Sequence, residues 1–436
     1  MTLSLILRSL HRSDNLRGCA AAVFVAAALV VGWTLACADS PSLTLVADDI
    51  DNPRGVAVLA NGDIVVAEAG TGNHETEERY SGRILRLTDR DGDGRWLGPD
   101  ERSVLLSGQI SYNGRSVFGT DRDEVGGLGD VALGADGMLL FTKDDPFPGY
   151  MADGAHNDIA VAALPLAGGE SVNIAQRRVT LNGLIWNHSR GEALVLESGA
   201  NRLLAMTIHG ETRIVTDFAP LAQGQQAVPA GIALDPRTGN VWVALFSGVR
   251  YDFPKPGDRQ TYVPGASRVV AVDPDTGEVT NVIADLTTAV DVAVGSDGTV
   301  YVLEMTSGPP TARIPSDADL YDPDAPPIAG GYPRFRGRVT AIRPDGQRQN
   351  LAAGLDAPTN LTLADGVLYI SAGQGTPGRT IPGLRGPVRI RGRIWRLDLQ
   401  CPVGLGPSQR MEIDLNPSSL ATITRYLVLS GVHYIS

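Results

Sequence analysis

The 436-residue sequence is poor in the side chains that most often do chemistry: it has three cysteines and six histidines. Cys19 lies within an N-terminal apolar run, Cys37 at its end and Cys401 near the C-terminus. A processed chain keeps at most two of these, which excludes a disulfide framework. No Ser-His-Asp ordering, phosphate-cradling glycine loop or Cys/His metal spacing stands out. His188 and His209 fall in short turns. His74 and His156 fall in longer loops, where a histidine is usually exposed polar surface. A basic cluster is also missing, and the formal net charge is −12. That balance excludes nucleic acid as a partner and argues against anionic lipid surfaces. Hydrophobic content (43%) and charged content (20%) are ordinary for a soluble globular chain. Glycine (51) and proline (28) are plentiful, which favours many tight turns over long helices.

The one long apolar run, residues 18–36, follows Arg8, Arg12 and Arg17 and precedes ACADS. A basic segment, an apolar segment and small residues in that order make an export signal over residues 1–38. Three readings stay open. Ala36-Cys37-Ala38 suits signal cleavage, Thr34-Leu35-Ala36-Cys37 resembles a lipoprotein signal with Cys37 as lipid attachment, and an uncleaved run just reaches bilayer length. Each places the rest of the chain outside the cytoplasm, secreted or periplasmic. Membrane contact comes only through a lipid anchor or an uncleaved N-terminus. Losing three arginines and Asp14 removes +2, so the exported part carries −14.

One phrase recurs six times. NPRGVAVLANGDIVVAEAG (52–70) has a short apolar strand, a tight turn and a second strand. It returns at 129–145, 183–199, 231–248, 291–308 and 360–375, with turn glycines Gly62, Gly137, Gly191, Gly239, Gly298 and Gly366. Glycine suits such hairpins because it takes positive φ without steric cost. Each copy continues into a third strand (GRILRLTD, for example), and five continue into a fourth. The sixth copy lacks its fourth strand, and SLTLVADDI (42–50) matches the missing piece. The expected fold is all-β: a six-bladed β-propeller over 42–399 whose N-terminal strand completes the last blade. Residues 400–436 fall outside the repeat.

DRDGDGRWLGPDE (89–101) follows the third strand of the first copy. Asp89, Asp91 and Asp93 alternate, Gly94 permits a sharp bend, and Asp100 and Glu101 return carboxylates. Hard oxygen ligands on a turning backbone suit calcium, with Asp100 at the twelfth position. An Asp/Gly-rich turn with solvated carboxylates is the plain alternative. The loop sits among the short turns of one face, so the expected calcium is structural.

The long loops share the opposite face: 70–82, 107–128, 144–157, 246–267, 305–337 and 373–392. They carry Tyr80, Phe147, Tyr150, Tyr251, Phe253, Tyr262, Tyr321, Tyr332 and Phe335. Long loops on a rigid scaffold usually carry function, so this aromatic rim is the expected contact face for a small molecule or an envelope protein. Capping of the rim by mutual packing is the alternative. Asn52, Arg54, Asp130, Asn182, Asp291 and Asn360 begin first strands and point toward the central channel. Such oxygens suit a ligand or a divalent ion, or else they cap strand ends. Glu68, Glu197 and Glu304 end second strands in alternate copies, either facing the channel mouth or pinning a loop.

The phrases DNPRGVAV…GDIVVAEAG, VPAGIALD…NVWVAL and TTAVDVAV…GTVYVLE resemble the ScyD/ScyE family of exported NHL-like propellers. That resemblance covers most of 42–399 and implies an envelope propeller acting in binding or an accessory role. It assigns no catalytic residue. Gluconolactonase-like propellers give a second expectation: a metal-dependent lactonase-type hydrolase, with Asn182 and Asp291 at comparable channel positions and Glu68 or Glu304 as base. Their E-G-P and R-P-N-G phrases are absent here. Quinone-dependent sugar dehydrogenases share aspartate-rich loops, but no channel histidine matches their base.

Overall fold

In the computed structural model, the described residues are 42–399 apart from 119–121, 146–158, 222–223, 249–261, 312–313, 316, 323, 326 and 328–330. The expected N-terminal signal with Cys37, the 400–436 tail, His156, Phe147, Tyr150, Tyr251 and Phe253 lie outside them. Six four-stranded antiparallel sheets are arranged as blades around a channel. Blade one runs outward through Pro53–Val58, Ile64–Glu68, Gly82–Leu87 and Arg102–Gln109. Blades two to five begin at Leu128–Leu133, Leu181–Asn187, Pro229–Leu234 and Ala289–Val294. Blade six is Asn360–Ala364, Val367–Ala372, Gly392–Asp398 and, outermost, Leu43–Ile50. The closing pair is antiparallel from Leu43↔Leu397 to Ile50↔Gly392, as the repeat predicts.

Second strands such as Ile64–Glu68, Val241–Leu245 and Val300–Glu304 are buried at every position. Both of their faces meet neighbouring blades, so they read as continuous apolar runs rather than alternating ones. Outermost strands are largely open to solvent, as in Thr212–Asp217. The hairpin turns use positive φ at the expected glycines, 88° at Gly62 and 86° at Gly298.

Two additions sit on the long-loop face. The link between blades one and two forms a small sheet (Tyr112–Asn113 with Val125–Gly126) around a helical turn at Gly114–Phe118. The 373–392 loop forms a hairpin, Thr380–Gly383 with Gly386–Arg389.

Candidate functional site

The channel is lined where the six innermost strands begin, by Arg54–Gly55, Gly129–Asp130, Asn182–Gly183, Ala230–Gly231, Val290–Asp291 and Thr359–Asn360. Of the five carboxylate and amide residues expected at the channel, four, Asp130, Asn182, Asp291 and Asn360, are brought together here. Three of them tie blades to one another. Asp130 Oδ2 accepts from Leu184 N of the next blade at 2.9 Å. Asp291 Oδ2 accepts from Leu361 N at 2.7 Å and from Asn360 Nδ2 at 2.9 Å. Asn360 Oδ1 in turn accepts from Val56 N of blade one at 3.2 Å. The glycines make these bridges possible, because a Cβ at Gly231 would overlap Asp291 and one at Gly55 would overlap Asp130. The remaining cavity is about 40 Å³. That holds a few waters, whereas organic ligands usually occupy pockets of roughly 300–1,000 Å³.

Burial dominates the electrostatics. It pushes the Asp130 carboxyl up to about 7, against the pull of the Leu184 and Val131 amides. Asp291 is raised further above the carboxylate range, by burial and then by the charge of Asp130. Asn182 lines the cavity, and its backbone carbonyl accepts from Thr142 Oγ1 at 3.2 Å.

Asn52 and Arg54 have other tasks. Asn52 Oδ1 accepts from Gly375 N at 2.8 Å and its Nδ2 donates to Gly70 O at 2.8 Å, so it joins two loops rather than facing the channel. The Arg54 guanidinium turns up to the cap and donates to Val125 O, near Glu124, Tyr112 and Asp144. Tyr112 donates to Asp144 Oδ2 at 2.8 Å.

Glu68 and Glu304 are not placed as bases. Both are fully buried. Glu68 accepts from Asp51 N at 2.7 Å and from Arg83 Nε at 2.5 Å. Glu304 accepts from Thr287 N at 2.7 Å and is paired with Arg338. Glu197 is likewise paired with a guanidinium, Arg177 Nε at 2.9 Å. A carboxylate whose oxygens are taken up by a guanidinium and a backbone amide pins the neighbouring loop and does not face the channel. The sequence carries this signal: Glu ends the second strand, and Arg stands opposite it in the third as Glu68↔Arg83, Glu197↔Arg202 and Glu304↔Arg338.

In the aspartate loop, oxygens of Asp89, Asp91 and Glu101 lie within 4.8 Å of one another. Glu101, which is buried, closes the loop; Asp100 at the twelfth position is exposed and outside this group, as is Asp93. Glu101 faces inward because its oxygens accept from Arg90 N at 3.2 Å and Gly98 N at 2.7 Å. Between these carboxylates, Trp96 donates its backbone N–H to Val46 O at 2.7 Å and packs with Val46, Ile50 and Ile394. The loop therefore grips the N-terminal strand at the ring's seam.

The long-loop face is interlocked. Asp123 pairs with Arg379 at 2.8 Å, both buried. Burial alone would raise Asp123, but Arg379 and the Thr376 hydrogen bonds outweigh it and hold the carboxyl below its usual range. Arg115 donates to Ala318 O at 2.5 Å, and Arg334 pairs with Asp356 at 2.6 Å. Of the aromatic rim, Tyr262 and Tyr332 are buried and stacked at 5.6 Å, with Phe246 edge-on to Tyr332. Tyr80 is exposed. The described aromatics thus mainly cap the mouth, because mutual stacking removes them from water. Among the described large hydrophobics of this face the most exposed is Leu384, at 83%, on the hairpin tip.

Fold and site together define a closed six-bladed β-propeller with a narrow polar channel and an interlocked loop face. The SMP-30/Gluconolactonase/LRE-like region matches residues 60–284, just over half of the sequence, and the chain belongs to that family. Among curated proteins none matches. Similar solved structures include virginiamycin B lyase from Staphylococcus aureus, 11% identical over 83% of this chain and 100% of that one, TM-score 0.44. Another is the PQQ-bound aldose sugar dehydrogenase from Streptomyces coelicolor, 15% identical over 83% and 98%, TM-score 0.44. A third is the nidogen/laminin complex, 13% identical over 68% and 84%, TM-score 0.41.

Proposed function

We propose that this chain is an exported binding or accessory propeller of the ScyD/ScyE type, engaging a small molecule or an envelope protein through its long-loop face. The observation that carries this reading is the contrast between channel and loops. Channel carboxylates and the Asn360 amide are committed to joining blades around some 40 Å³, too little for an organic substrate. The loops of blades one, five and six are locked into one platform by Asp123–Arg379, Arg115 and Arg334–Asp356. A rigid platform loses little conformational entropy on binding. Export through the N-terminal signal, with the chain released or held at Cys37, is part of this proposal. So is structural calcium at Asp89, Asp91 and Glu101.

A metal-dependent lactonase is the second reading, favoured by family membership and by the convergence of Asp130, Asp291 and Asn360. Asn182 and Asp291 would hold the ion, which would polarise a lactone carbonyl. The test is hydrolysis of glucono-lactone with calcium, manganese or zinc present. The binding reading expects no rate above buffer, together with a thermal shift from envelope extracts that Arg115→Ala abolishes. A cation-dependent rate lost in Asp291→Asn would replace it with the lactonase.

A further inference from the structure

We propose that copies of this chain stack head to tail, the 380–389 hairpin of one seated on the 91–100 aspartate loop of the next. The hairpin is built to be presented. Its base is fixed by the buried Arg379–Asp123 pair and by Ile381 and Ile390, both buried. Its tip carries Leu384, 83% exposed, and Val388, 37% exposed. Arg385 and Arg389 are exposed beside them, and no described residue pairs with either guanidinium. Two cations without a partner among the described residues, around an apolar tip on a chain of net charge −12, call for an acidic partner surface with an apolar patch.

The same molecule carries that surface. On the opposite face, Asp91, Asp93 and Asp100 are exposed along a loop that also presents Leu97, itself 44% exposed; with Arg95 exposed among them, the acids still outnumber the bases three to one over 91–100. The two elements also share one sector of the ring. The hairpin belongs to blade six, and the aspartate loop, though it leaves blade one, is bonded to blade six's outer strand through Trp96 N and Val46 O. Strand addition is not the mode of contact. Pro382 and Pro387 lie opposite each other in the hairpin, and proline removes the donors an added strand needs. The contact uses surfaces on opposite faces of the ring, so each copy keeps one of the two surfaces for a further copy and the assembly extends beyond a dimer. It stands apart from the ligand-binding reading and would hold whether or not the loop face takes a small molecule.

Sedimentation velocity of the exported chain (residue 39 onward) across a concentration series tests this, at low and high salt. The expected result is mass rising with concentration at low salt and falling back as screening increases. A charge exchange gives specificity. R385D/R389D and D93R/D100R should each be monomeric and folded by near-UV circular dichroism, and their mixture should associate again. A wild type that stays monomeric throughout overturns the proposal. So do single charge variants that associate as the wild type does, or a mixture that fails to associate.

Discussion

At the scale of single residues, the channel is governed by close approach. Gly231→Ala places a Cβ against both Cα and Oδ1 of Asp291, backbone that cannot yield without moving a blade. The expected loss is about 3 kcal/mol, the upper part of the range for overpacking, read from denaturant unfolding. Glu304→Gln leaves the Thr287 amide and Arg338 with a weaker acceptor at a site closed to water, and should cost about 2 kcal/mol in the same assay. Asp130 adds a pH dependence. Its carboxyl rises from 3.8 to about 7 on folding. The folded state holds that proton longer than the unfolded chain does, so the contribution to stability is full below about pH 4 and lost as pH rises through about 7. Asp51 and Asp144, each raised to about 6 by burial, act the same way. Asp123 and Asp297 are held low, and their contribution is lost on acidification instead. The melting temperature should therefore peak in mild acid and decline toward pH 8, and Asp130→Asn should flatten that decline. At this scale the sequence was a partial guide. Asp130, Asp291 and Asn360 were legible as channel residues because they begin repeated strands. Their bonds to the next blade were not, because which amides face them depends on how blades pack. The rim aromatics left two readings open for a related reason: exposure depends on which loops meet, and Tyr262 and Tyr332 come together from separate loops of blades four and five.

Among elements, the aspartate loop is the one whose stability a ligand would govern. Asp89, Asp91 and Glu101 offer converging oxygens, and the loop's Trp96 is packed on the N-terminal strand. Calcium bound here would strengthen the ring where its ends meet. At a hundred times its dissociation constant, calcium should add about 2.7 kcal/mol, seen as a higher melting temperature than in chelator. Asp91→Asn/Glu101→Gln should abolish that difference, whereas Asp100→Asn should leave it intact. The loop itself was readable from its alternating carboxylates. Which acid closes it was not, because a proline-led turn at Pro99–Glu101 rotates Asp100 outward and Glu101 inward.

For the molecule as a whole, the ring was legible in advance. Six hairpins with a glycine turn at one register, and a fourth strand missing from one end and present at the other, admit few closed solutions. The interlocked loops were not legible, since residues more than 200 positions apart, such as Arg115 and Ala318, meet only after the blades are in place. The closing strand pairs Leu43–Ile50 with Gly392–Asp398. That feature sets a clock. As the chain is made from its N-terminus, this first strand is the last to find its partner, because some 340 residues must follow before Gly392 arrives. Until then the outer edge of blade six does not exist and the strand waits unpaired. Completion of the chain, rather than any single contact, then decides when this protein becomes one piece.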